Sequence, residues 1–323
     1  MNWLFNNPIS EMSGPPFLIL YASVMALIAG EAFLRGRRAD RSLSLGSMPI
    51  PTKPDPCEIA YLRGGSNEVT RLVVFDLIRR GYLRIVEKKS LLKGTERKIE
   101  QDPDHPDLDH LSPIESVAFP FFDHSRKPEV LFQPQGLARK IEAGLSSTAE
   151  SLRDRQLLTG PERIATAWRI WLGGALMILA FGGFKLAVAL AKGRHNVLLL
   201  FVFAAIGLVA LALVCKVPRV TLRGKDYLER LRQAFENLKP RLQDEAETLA
   251  HDPALVLVPA LFGVSVLAGT AYAQVPDLFK SAAATSGGCG GGCGGGASGC
   301  GGAGGGCGGG GGCGGGGCGG CGA

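Results

Sequence analysis

The sequence predicts an integral membrane protein, mainly α-helical, with three transmembrane helices, a fourth left open, a small cytoplasmic α+β domain and a disordered Gly/Cys-rich tail. Three observations predict it. Uncharged or nearly uncharged apolar runs occupy residues 17–34, 168–191 and 197–217, each close to the ~20 residues that cross a hydrocarbon core. Residues 287–323 hold 26 Gly and 7 Cys with only Ala and Ser beside them, so they have almost no apolar side chains with which to offset ordering entropy. What remains of the 323 residues, about 36–165 and a piece after 216, is too short for a large soluble enzyme.

The elements follow in order. Residues 1–16 carry no Lys or Arg, whereas Arg35, Arg37, Arg38 and Arg41 follow the first run. A cleaved signal peptide needs its cations first, so 17–34 is expected to stay as an anchor. The charge bias puts 1–16 outside the cytoplasm and the chain from residue 35 inside. Residues 35–56 are a basic linker that becomes Pro-rich in SMPIPTKPDP. The runs 168–191 and 197–217 form a membrane hairpin across a turn too short for anything else. Trp168 and Trp171 mark an interfacial belt, and Lys185 is placed to snorkel. A buried helical hairpin of a soluble protein is the rival reading, and two adjacent runs of about 20 residues argue against it. The run 253–273 is uncharged, with Asp252-Pro253 as a helix start. Pro259, Gly263 and Gly269 dilute it, which leaves a fourth membrane helix and a helix packed on the bilayer surface or on its own domain both open, with a lean towards the second.

The cytoplasmic domain is placed at 57–165. EIAYLRGG reads as a short helix closed by Gly64-Gly65. Ser66 can cap a second helix that ends at Arg79-Arg80-Gly81, with Val69, Leu72, Val73, Leu77 and Ile78 as its stripe, widened by Phe75. Tyr82–Glu87 and Thr95–Gln101 read as a hairpin across a loop containing Gly94. Two helices followed by a basic hairpin resemble a winged-helix fragment. Ser112 and Glu115 form a capping-box pattern for a helix to Phe122. Gln135–Leu158 reads as one amphipathic helix with Leu137, Ile141, Leu145, Leu152 and Leu157 inward. Gly224–Leu249, within residues 218–252, reads as another, with Leu228, Leu231, Phe235, Leu238, Leu242 and Leu249 on one face and a kink at Pro240.

Chemistry-bearing patterns are few. Arg79, Arg80, Arg84, Lys88, Lys89, Lys93, Arg97 and Lys98 could meet phosphates. Residues 36–165 carry 21 basic and 19 acidic residues, however, so a solvated face or a contact with lipid or protein fits better than nucleic acid. Asp102, Asp104, His105, Asp107, Asp109 and His110 offer metal-ligand types, but the spacing matches no calcium loop and suits a solvated turn. The five His are scattered, no GxSxG, phosphate loop or HExxH occurs, and no pair of carboxylates in an apolar setting is expected. Nothing in the sequence reads as catalytic. Cys57 and Cys215 are the only Cys outside the tail, so no disulfide framework is expected. The tail thiols, Cys289, Cys293, Cys300, Cys307, Cys313, Cys318 and Cys321, have no fixed register, and only Cys318–Cys321 has the spacing of a zinc knuckle. They read first as part of a flexible tether and second as ligands for a soft metal.

The order of motifs resembles a known family. An N-terminal apolar segment, EIAYLRGG, RRGYLRI, a central hairpin, RVTLRGKDYLERLR and DPALVLVPALFG precede a Gly/Cys tail. This is similar to a family of uncharacterised bacterial membrane proteins with a shared domain just upstream of a Gly-rich C-terminus. The resemblance implies a multi-pass protein of the bacterial inner membrane and no activity, cofactor or catalytic residue. The expected role is a non-enzymatic scaffold or interaction module whose partners are the bilayer and a protein bound by the cytoplasmic domain. The alternatives are a metal- or redox-handling protein using the tail and a membrane-tethered DNA-binding regulator.

Overall fold

The computed structural model describes residues 14–38, 42–90, 94–191, 198–240 and 254–285. All belong to the unit Met1–Gly288; the unit Cys289–Ala323, with the seven tail cysteines, lies outside the described residues.

Three apolar helices pack together. They are α1 (Gly14–Arg38), α7 (Pro161–Ala191) and α8 (Leu198–Val214). Pro161 starts α7 where a missing N–H costs nothing. The helix therefore begins about two turns before the apolar run at Trp168, and α8 ends at Val214 rather than Val217. Phe17 stacks on Phe181 at 5.6 Å between ring centroids, and the Tyr21 hydroxyl donates to the Ile178 carbonyl at 3.1 Å. Gly174 faces Ile28 and Leu211, and Gly207 faces Met25. These pairs make α7 antiparallel to α1 and α8, an up-down-up bundle in which glycines let the backbones approach. Its outer surface is apolar: Ile19, Leu27, Leu176, Leu198 and Leu213 are 68–74% exposed. Lys185 sits over the Phe17 ring at 4.7 Å, at the α1 N-terminal end of the bundle.

The second body is a head domain built from both sides of this hairpin. In α2 (Pro56–Gly64), Asp55 caps the start by accepting from Cys57 N at 2.9 Å. Gly65, at φ 81°, ends α2 and is also the cap of α3 (Ser66–Arg79). Ser66 is therefore the first residue of α3 and not its cap, because one left-handed glycine is all that separates the helices. Val69, Leu72, Val73, Phe75 and Leu77 are buried as the stripe predicts, and so are Thr70 and Val74. The helix is covered on nearly every side, which a stripe cannot announce. Arg80 and Gly81, the latter at φ 78°, turn the chain into β1 (Leu83–Ser90), which pairs with β2 (Gly94–Gln101) in antiparallel register, Ile85 opposite Ile99. Gly94 pairs with Ser90 instead of lying in the loop. This hairpin is the only sheet among the described residues.

After the hairpin, α4 (Pro113–Ala118) carries the full capping box between Ser112 and Glu115. The turn Phe119–Phe122 then tightens to 3-10 geometry at Pro120, a residue with no N–H to continue the α pattern. The stretch expected as one helix over 135–158 is two, α5 (Leu137–Gly144) and α6 (Ser146–Asp154). Gly144 and the Ser146-Ser147-Thr148 run that follows are weak helix formers, and the break at Leu145 lets Leu137, Ile141, Leu145, Leu152 and Leu157 all stay buried. Likewise α9 (Leu222–Ala234) stops at Phe235, ahead of Pro240. Leu228 and Leu231 are buried, Phe235 and Leu238 are partly so, and Leu242 and Leu249 lie outside the described residues.

The run left open at 253–273 becomes α10 (Ala254–Phe262), a left-handed Gly263 and a 3-10 turn, Val264–Leu267. Nine residues rise only ~13 Å, far short of the ~30 Å hydrocarbon core. Leu255, Val258, Ala260, Leu261 and Leu267 are at most 2% exposed, inside the same core as α2 and α3. The last helix, α11 (Gln274–Thr285), adds Val275, Leu278 and Phe279 to that core.

Candidate functional site

Two places gather polar chemistry. The first is the neck where the chain leaves the head for α7 and returns from α8. Residues 157–159 run beside 219–221, with Leu158 bridged to Val220. Thr159 N donates to the Arg219 carbonyl at 2.9 Å, and Thr221 N to the Leu157 carbonyl at 3.1 Å. The buried hydroxyls act as pegs. Thr159 Oγ1 donates to Pro218 O at 2.6 Å, and Thr221 Oγ1 donates to Gln156 O at 2.7 Å while accepting from Gly224 N at 3.0 Å. Gly224 is obligatory in this arrangement, because a Cβ there would meet the Leu157 carbonyl and Val220. Arg219 donates to Tyr61 O at 2.8 Å and lies over the Tyr61 ring at 4.7 Å. Beside it is a cavity of about 250 Å³ lined by Tyr61, Arg153, Thr159, Ile164, Pro218 and Arg219, among others.

The second place is a carboxylate pair that no local pattern reveals. Asp76 on α3 and Glu115 on α4 share Arg80, whose Nη1 is 3.8 Å from Asp76 Oδ2 and 3.0 Å from Glu115 Oε2. Arg79 Nη2 holds Asp76 at 2.6 Å, and Ser112 N donates to Glu115 at 2.8 Å. Burial raises the Asp76 carboxyl above its usual 3.8; Arg79 opposes this, and a shared hydrogen bond with Glu115 adds to the rise. The Cys57 thiol is pushed up to about 12, by burial first and then by Asp55, Glu115 and Asp76. It is thus a protonated, inert group at neutral pH.

The sign of the pH effect follows. A carboxyl whose folded pKa is raised binds its proton more tightly when folded, so its contribution to stability is full below 3.8 and is lost as pH rises through the folded pKa. Asp76→Asn removes this loss. The melting temperature of the variant minus that of the unmodified chain is expected to climb as pH rises above 3.8, whatever the constant offset from losing the Asp76–Arg79 pair. A flat difference would mean that Asp76 is ionised throughout.

The hairpin cations expected to face phosphates are largely engaged with acids of the head itself. Arg84 pairs with Glu100 at 2.6 Å and Arg97 with Glu87 at 2.8 Å; Lys98, also of the expected set, is partly buried on β2 opposite Val86. Arg79 and Arg80 serve the carboxylate pair; the Lys88, Lys89 and Lys93 side chains lie outside the described residues. In the acidic loop, backbone carbonyls rather than carboxylates are gripped. Arg80 donates to His110 O at 2.7 Å, Tyr82 to Asp107 O at 2.8 Å, and His105 packs on Phe119 at 5.1 Å between centroids. Asp102, Asp104, His105, Asp107, Asp109 and His110 are not drawn together, and among the described residues no three His, Cys, Asp or Glu side chains converge as a metal cluster. The candidate ligands Cys289, Cys293, Cys300, Cys307, Cys313, Cys318 and Cys321 lie outside the described residues.

The model of one protein family matches residues 48–256; its description is Predicted membrane protein (DUF2207) C-terminal domain. The matched stretch takes in most of the head, the hairpin α7–α8 and both halves of the neck. Comparison with curated proteins and with solved structures finds no match.

Proposed function

The chain belongs to this family of predicted membrane proteins, and we propose that it is a membrane-held scaffold in which a rigid head domain is presented to a protein partner on the cytoplasmic face of a bacterial inner membrane. The observation that carries the reading is the neck. The head core is assembled from segments on both sides of the hairpin, Leu72 and Ile141 from one side and Leu231 and Leu261 from the other, and the pegs Thr159 and Thr221 lock the two crossings together. Such a head cannot swing freely on a tether; it holds a fixed pose on its bundle, as a docking platform needs and a soluble catalyst does not. Photo-crosslinkers placed at the exposed Arg84 and Val117 positions in intact membranes are expected to trap one discrete adduct. Absence of any adduct at either position would overturn the partner reading.

The topology is part of the proposal. The up-down-up bundle and the cations after α1 and α8 support an outside N-terminus and an inside head. With α10 in the head core, nothing among the described residues after α8 returns the chain across the bilayer, so the seven tail thiols are expected inside and reduced. A membrane-impermeant maleimide, applied to spheroplasts after reduction and washing, should leave them unlabelled until the cells are lysed. Strong labelling of sealed spheroplasts would put the tail outside.

A further inference from the structure

The cavity at the neck has a chemistry that the scaffold role does not use. We propose that it binds the phosphate headgroup of an anionic phospholipid from the leaflet beside the head domain. This deepens the membrane reading and rests on it.

Position comes first. Ile164 lines the cavity and precedes Trp168 by one turn of α7, ~6 Å along the helix. Val217 and Pro218 line it from the other side, just past the end of α8. The cavity therefore sits against the ends of two apolar helices. The polar layer of a leaflet is roughly 5–8 Å thick, so the cavity lies at headgroup depth. Trp168 and Trp171 stack at 4.9 Å on the membrane side of it, at the level where aromatic rings settle.

Charge comes second. Arg153 and Arg219 are the two charged residues lining the cavity, and both are cationic. The nearby carboxylates pair with other arginines, Glu142 with Arg139 at 3.2 Å and Glu58 with Arg155 at 2.9 Å, and the ion pairs among the described residues include neither Arg153 nor Arg219. Arg219 is held in place by the Tyr61 ring and carbonyl and by the close approach of Gly65, which spends one donor and leaves the rest of its fork. Burial lowers the Arg219 guanidinium from its ordinary range; Tyr61 opposes this, Arg153 adds to it and Glu142 opposes it. Two like charges facing one cavity are a cost that an anion removes, and a planar fork suits phosphate oxygens.

Size comes third. About 250 Å³ is just under the ~300–1,000 Å³ of small-molecule pockets, room for a headgroup but not for acyl chains. The exposed apolar side chains of α7, Leu172 and Leu176, begin one to two turns beyond Trp168 and give such chains a surface to lie on. A soluble phosphate would gain the two arginines but nothing from that surface.

The full-length protein in micelles of a neutral detergent tests this, with the melting temperature followed against dioctanoyl phosphatidylglycerol, dioctanoyl phosphatidylcholine and inorganic phosphate. The phosphatidylglycerol is expected to give a saturable rise that the other two do not. Arg153→Gln, at an exposed position that should not disturb folding, should shift the midpoint about tenfold to higher lipid. Arg219→Lys, which keeps the charge but loses the fork, should weaken binding without removing it. An equal response to phosphatidylcholine, or an unchanged midpoint in Arg153→Gln, overturns the proposal. An equal response to inorganic phosphate overturns the lipid as its occupant and leaves a soluble anion site. Alkaline extraction of native membranes is the separate control: Arg153→Gln should remain in the pellet with the unmodified chain. Release of the unmodified chain would defeat the membrane reading itself, independently of any binding result.

Discussion

Leu261→Asp is expected to unfold the head domain while leaving the chain in the membrane fraction. Leu261 is 0% exposed, on the face of α10 that packs against α2 and α3. Truncating such a leucine to alanine costs ~2–5 kcal/mol, and an unpaired carboxylate in the same place adds several more. The total exceeds much of the ~5–15 kcal/mol that holds a domain together. The α10 C-terminus is also pinned by cations, since Arg63 donates to Pro259 O at 3.0 Å and Arg232 to Leu261 O at 3.4 Å. Displacing the helix would strand them. Limited proteolysis in detergent reads the outcome, with cleavage expected throughout 48–160 and the α7–α8 hairpin spared. If α10 were instead a membrane helix, the same substitution would cost ~2.5–3.5 kcal/mol of insertion and the proteolysis pattern of 48–160 would not change. That result would remove α10 from the core.

Gly224→Val is expected to open the neck. A Cβ at this position meets the Leu157 carbonyl and the Val220 side chain, and neither can retreat without parting the strand-like pair 157–159 and 219–221. Overpacking of this kind costs ~1–3 kcal/mol. Here the Gly224 N–H to Thr221 Oγ1 cap goes with it, adding ~1 kcal/mol. Hydrogen exchange should show Thr159 and Thr221 amides losing protection before the rest of the head does. Thr221→Val provides a milder comparison, because it removes the cap and the bond to Gln156 O without a clash. If Gly224→Val melts like the unmodified chain, the close approach at the neck is not what ties head to hairpin.

Much of the head was legible locally. The Ser112–Glu115 box, Gly65 and Gly81 work within a turn of the residues they cap, so their effect is written in the neighbouring sequence; the Asp55 cap, equally local, was passed over inside the Pro-rich linker. The hairpin itself was legible but its length was not, since the pairing runs on to Ser90 and Gly94. Helix lengths were less legible. An apolar spacing of 3 or 4 continues across Leu145 and Phe235 even though the helix stops at each, because burial can be kept by a bent chain as well as by a straight one. The carboxylate pair was invisible, since Asp76 and Glu115 are 39 positions apart and neither has an unusual neighbourhood.

The sequence by itself determined that this protein has long uncharged segments of membrane type, a small α+β head with definite caps, and a tail without apolar side chains. Tertiary structure decided where the run 253–273 goes, because an uncharged apolar segment satisfies lipid and protein interior equally; only the waiting surfaces of α2 and α3 choose between them. It also decided the neck. Residues 157–159 and 219–221 carry no local signal of pairing, which exists only because α7 and α8 bring the chain back to the place where it left.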